Sequence, residues 1–198
     1  MSKKSLYNLK RRKNFKPLRK NFLIICEGEK TEPLYFRSFR VPKKVFDVLG
    51  FGANTESLVK KTIEIRDSET TSHDEVWCVF DRDSFPVENF NKALSLAKKS
   101  KIQVAYSNEA FEIWYLLHFH YHDAATSRTQ YKAMLTQRLG FPYKKNDPNM
   151  YKHLVHLQKT AIKNATNLLN SYVNHNPGTD NPSTTVHDLV QKLNKYSV

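Results

Sequence analysis

Val76-Trp77-Cys78-Val79-Phe80 is an unbroken apolar run that leads straight into Asp81-Arg82-Asp83. A short β-favouring run without polar alternation predicts a strand covered on both faces, as in a parallel sheet. Ligands of open α/β sheets gather outside the carboxyl ends of such strands, which is where Asp81 and Asp83 fall. Residues i and i+2 of an extended chain share a face, so both carboxylates can address one point. Their mutual repulsion is relieved by a divalent cation, and hard oxygen donors suit Mg²⁺ or Mn²⁺.

The rest of the chain has to supply the other strands and the helical cover. Phe22-Leu23-Ile24-Ile25-Cys26 is a second apolar run, followed by Glu27-Gly28-Glu29-Lys30-Thr31-Glu32-Pro33. This reads as strand, tight turn and helix, with Gly28 allowing a close approach, Thr31 capping the helix and Pro33 in its first turn. Residues 45–51 are a weaker strand candidate, and residues 57–67 an amphipathic helix. After the Val76 strand come a helix over 88–99, a strand over 102–106 and a strongly apolar helix over 111–119. That alternation argues for a parallel α/β sheet with right-handed crossovers. Beyond residue 122 the strand signals stop. Helices are expected over 130–139, over 151–173 and after the capping-rich stretch 181–185. The expected organisation is a basic arm (1–20), an α/β domain (21–122) and a helical subdomain packed on it (123–198).

Composition constrains partners more than fold. The formal net charge is +13, and residues 1–20 contain nine Lys or Arg and no acid, leaving +4 for the remainder. An arm of this kind, with Lys10, Arg11, Arg12 and Lys13 at its centre, neutralises nucleic-acid phosphates or serves as a solvated tail. No run has membrane-spanning length and no signal peptide is recognisable, so a cytoplasmic location with no membrane partner is expected. Cys26 and Cys78 lie inside apolar runs and read as buried reduced thiols rather than zinc ligands.

Glu27 falls at a strand's carboxyl end, as Asp81 does. If the two strands are neighbours, ~4.8 Å apart, Glu27, Asp81 and Asp83 converge on one site. The aspartates would hold metal there, with Glu27 as a further ligand or a general acid/base. The plainer alternative is that all three cap loops and helices. Glu112, in an apolar helix, is expensive to bury unless paired or metal-bound, so it is either a further ligand or half of a salt bridge. Lys30, Lys60 and Arg82 are candidates for phosphate contact, with a structural ion pair as the alternative for Arg82. His118, His120 and His122 share faces that would suit a metal, but surface or capping roles are favoured. Tyr143-Lys144-Lys145 interleaves an aromatic with positive charge, a pattern suited to single strands, although a solvated loop is the simpler reading.

An acidic residue followed by Gly after the first strand, then Asp-x-Asp after a later one, resembles the Toprim domain of topoisomerases, primases and OLD-type nucleases. More closely, residues 26–33, residues 77–85, Phe111-Glu112-Ile113-Trp114 with Leu116-Leu117-His118-Phe119, and residues 181–187 together resemble the RloB-like family. The resemblance implies a Toprim-like protein of bacterial restriction and abortive-infection loci, often beside an AAA-type ATPase. It implies Glu27, Asp81 and Asp83 as the acidic set and places Glu112 in a family signature. Glu32 stands one residue farther from Glu27 than in the EGxTE pattern of OLD-type nucleases, and Ser84-Phe85-Pro86 replaces the glycine common after Asp-x-Asp.

The expected function is Mg²⁺-dependent cleavage of DNA or RNA phosphodiesters by an anti-phage effector. The alternative is a non-catalytic nucleic-acid-binding or regulatory subunit working with a partner ATPase. No GxxxxGK[ST] motif is present, so P-loop ATP hydrolysis would belong to another chain.

Overall fold

A computed structural model of the 198-residue chain describes residues 20–41, 46–50, 55–68, 73–82 and 86–197. The basic arm up to residue 19 and Asp83 lie outside the described residues.

Five strands form one sheet: β1 (Phe22–Cys26), β2 (Phe46–Gly50), β3 (Glu75–Asp81), β4 (Gln103–Asn108) and β5 (Ser183–Thr184). Their order is β2-β1-β3-β4-β5. The first four are parallel and β5 is antiparallel to β4. The two uninterrupted apolar runs therefore occupy neighbouring central strands, with Cys26 in register with Val79.

Each central strand feeds two cores by simple alternation. Leu23, Ile25, Val76, Cys78 and Phe80 pack with α2 (Thr55–Ser68) and α3 (Val87–Lys99) on one face. Phe22, Ile24, Cys26, Trp77 and Val79 face the larger cluster. That cluster draws on α1 (Thr31–Arg37), α4 (Glu112–Leu116), α5 (Arg128–Leu139), α6 (Met150–Leu154), α7 (Gln158–Asn170) and α8 (Val186–Asn194). The architecture is a three-layer α/β/α sandwich, and the C-terminal helices supply much of one layer. At the opposite end of β3, buried Glu75 accepts hydrogen bonds from Lys20 (2.9 Å) and Lys192 (3.3 Å). Burial pushes its pKa up, but these two ammonium groups outweigh that and leave it lowered.

Three local expectations need correction. Lys30, not Thr31, is the N-cap of α1; Thr31 is its first residue and its hydroxyl is used elsewhere. The helix expected over 151–173 is interrupted by a 3₁₀ turn at Val155–Leu157 and ends at Asn170. The apolar spacing carries on through the break, and Val173, 96% exposed, has no core to reach. The capping-rich stretch before the last helix provides strand β5 instead of a side-chain cap. Cys26 and Cys78 are buried free thiols, as expected. Among the described residues no helix is long and apolar enough to cross a membrane.

Candidate functional site

The carboxyl ends of β1 and β3 stand side by side. The ladder continues one residue past β1, where the Glu27 amide donates to the Val79 carbonyl at 2.8 Å. Glu27 Oε2 in turn accepts from the Asp81 amide at 3.0 Å. The neighbour relation that Glu27 and Asp81 required is therefore present.

Two further carboxylates join them. Glu32, the second residue of α1, is 6% exposed, and its Oε2 has no hydrogen-bond partner among the described residues. Gly28 makes room for it: a Cβ at position 28 would lie 2.1 Å from that oxygen. Glu112, 8% exposed, opens α4, and its Oε1 accepts from the Tyr143 hydroxyl at 3.0 Å. Arg128 acts on both Asp81 and Glu32, and Lys145 acts on Glu32. Arg128 Nη2 lies 3.3 Å from Asp81 Oδ2. Arg128 begins α5, whose start is fixed by a capping box between Ser127 and Gln130. The Lys145 carbonyl is held by the Thr31 hydroxyl at 3.0 Å, which ties the 141–149 loop to the start of α1.

Four carboxylates gather here, and with all of them ionised they would repel one another. The electrostatics reflect it. Burial pushes the Asp81 pKa well above the usual aspartate range, and Glu32, Glu112 and Glu27 add to the shift while Arg128 opposes it. Burial also raises Glu32; Glu112 adds to that, while Lys145 and Arg128 oppose it. The Tyr143 hydroxyl is pushed strongly upward by burial and by Glu112, so it stays protonated and donates.

The oxygen-only donor set suits Mg²⁺ or Mn²⁺. Among the described residues no three His, Cys, Asp or Glu side chains form a ready-made ion cage. Two observations nevertheless match a cation: the unpartnered Glu32 oxygen and the mutual repulsion of the carboxylates. Glu27, Glu32 and Asp81 are the residues that would hold it, with Glu112 adjoining.

Other sequence candidates are distributed differently. Lys30 borders a cleft of about 330 Å³ together with Gly28, Glu32 and Lys145, beside the acids. Arg82 continues the β3 ladder, and its Nε donates to the Gly178 carbonyl at 3.0 Å, so it holds the 176–180 loop. Lys60 pairs with Glu56 on α2, which covers the other face of the sheet. His118 is wholly buried and its Nδ1 meets the Trp114 carbonyl at 2.9 Å; burial lowers its pKa to about 4. It is a core residue, where a surface or capping position was expected. His122 meets Thr126 at 2.7 Å. Tyr143 is buried rather than displayed beside Lys144 and Lys145.

Sequence reasoning set Glu32 apart on spacing and did not single out Arg128. The signal for Arg128 was available, since Ser127-x-x-Gln130 is a helix-start signature that places position 128 in the first turn. Nothing in the chain pairs Arg128 with Asp81 in advance.

In a comparison with protein families, the family described as RloB-like protein matches residues 22–193. No curated protein and no solved structure matches.

Proposed function

We propose, for a chain that belongs to the RloB-like protein family, a metal-dependent nuclease that cleaves phosphodiesters of DNA or RNA at the carboxyl ends of β1 and β3. The observation that carries this reading is the Glu32 carboxylate. It is buried, lacks a hydrogen-bond partner on one oxygen, and sits among like charges. Burying such a group without compensation is costly, so its retention points to a ligand that supplies positive charge.

A Mg²⁺ or Mn²⁺ ion there would stabilise charge on phosphoryl oxygens and lower the pKa of a bound water. The chain's own groups have separable roles. Glu27 is oriented by the Asp81 amide, so its carboxylate is fixed relative to the strand end and can bind metal or accept a proton. Asp81 holds a proton to an unusually high pH in the ion-free protein, and a cation would replace that proton. Arg128, in contact with Asp81, is placed to meet an anionic phosphate at the same point. Tyr143 fixes the orientation of Glu112. Asp83 belongs to the proposed acidic set through the family pattern. The same reading extends to an anti-phage effector acting beside an AAA-type ATPase.

The deciding experiment compares wild type with Asp81→Asn and Glu32→Gln on plasmid, single-stranded DNA and tRNA, in Mg²⁺, Mn²⁺ or EDTA, with and without a candidate ATPase. Metal-dependent cleavage should fall more than about 100-fold in either variant, since even outer-shell losses cost 10–100-fold at metal sites. Cleavage equal in all three proteins would overturn the site. No cleavage anywhere, with nucleic-acid binding intact, would favour the non-catalytic subunit.

A further inference from the structure

The acidic cleft has a basic neighbour. A second cleft, of about 400 Å³, is lined by Glu112, Arg128, Lys132, Tyr143, Lys144 and Lys145. Lys145 borders both clefts, and Arg128 reaches from the basic one to Asp81. The two spaces therefore adjoin. Of the four cations lining the basic cleft, Arg128 pairs with Asp81 and Lys145 acts on Glu32, while the one carboxylate there accepts from Tyr143. Lys132 and Lys144 are exposed, and neither has an ion-pair partner among the described residues.

Positive charge left unpaired beside an acidic cluster is the arrangement expected where a cation and an anion bind side by side. A nucleic-acid strand presents such anions in series. Were one phosphate to sit over the carboxylates, the basic cleft would be placed for its neighbour. The cleft's volume is near the lower end for pockets that enclose small ligands, so it suits one nucleotide unit and is too small to enclose a base pair.

We infer that Arg128, Lys132, Lys144 and Lys145 form a subsite for the phosphate next to the scissile one in single-stranded nucleic acid. Calling that phosphate the neighbour of a scissile one rests on the nuclease reading; the binding itself does not. Lys132 and Lys144 act as point charges from exposed positions, so their removal leaves the core and the acidic cluster untouched.

The test measures binding of the full chain in EDTA, where metal-dependent cleavage is suspended. Fluorescence anisotropy would follow a labelled single-stranded DNA, the same sequence as RNA, and the matched DNA duplex across a salt series. The variants are Lys132→Ala/Lys144→Ala and, as a charge-matched control on exposed positions of α7, Lys159→Ala/Lys163→Ala. Losing two phosphate contacts should reduce the slope of log K against log salt by about 1.4 on single strands, at roughly 0.7 per contact. The control pair should change it little, and the duplex should respond less than the single strand. An unchanged slope, or a change matched by the control pair, would overturn the subsite. An equal loss on duplex would overturn the single-strand assignment. A Lys-dependent slope in a protein that never cleaves would sustain the subsite and remove the nuclease reading alone.

Discussion

Two glycines near the site carry different burdens. At Gly28 the nearest obstacle to an added methyl is the mobile end of a side chain, Glu32 Oε2. At Gly50 it is backbone, with Gly28 O at 2.5 Å and Glu29 Cα at 2.7 Å. Gly28→Ala should therefore fold, with Tm shifted by no more than ~2–4 °C, the equivalent of about 1 kcal/mol in a chain of this size. It should displace the Glu32 carboxylate and lower cleavage by about 100-fold, as small misplacements do. Gly50→Ala has no side chain to move aside and should cost about 1–3 kcal/mol of stability, as overpacking does. Thermal melts and cleavage rates for both variants check the pair; a Gly28→Ala protein with full activity would show that Glu32 is not held by this clearance.

At the scale of elements, β5 is two residues long yet densely bonded. The Thr184 hydroxyl donates to the Tyr106 carbonyl at 2.9 Å, accepts from the Val186 amide at 3.2 Å and lies 3.2 Å from Ser107 Oγ. Thr184→Val keeps the shape and strands those partners in a dry setting, so a loss of about 1–3 kcal/mol is expected in denaturant titration. The parallel strands were legible because burial on both faces writes itself as an unbroken apolar run, as in residues 22–26 and 76–80. Strand β5 was not, because Ser183 and Thr184 are paired through long-range contacts and read locally as a cap. The same limit governs the site. Glu27 and Asp81 were visible at strand ends, whereas Glu32, Arg128 and Lys145 acquire their roles only through packing of α1, α5 and the 141–149 loop.

For the whole molecule, two buried groups pull the stability–pH curve in opposite directions. His118 has a folded pKa of about 4, below its ordinary 6.5. The unfolded chain then binds the extra proton, so stability is lost as pH falls from ~6.5 through ~4, by up to about 3 kcal/mol. Asp81 is raised instead, so the folded chain holds its proton more tightly. Its contribution is fully present below the ordinary aspartate range and is lost as pH rises through the folded value. Melting curves in EDTA should show wild type losing stability on acidification relative to His118→Leu. Relative to Asp81→Asn, wild type should gain on acidification and melt lower at neutral pH. Parallel curves for wild type and either variant would contradict that group's assignment. The site itself is distributed along the chain, with Glu27, Glu32 and Asp81 preceding Arg128 and Lys145 by many residues. During synthesis Glu27, Glu32 and Asp81 leave the ribosome first, Arg128 follows, and the basic cleft is complete only once residue 145 has been added. A protein interrupted before residue 128 would carry those acids without Arg128 or Lys145, so the proposed activity could arise only late in translation.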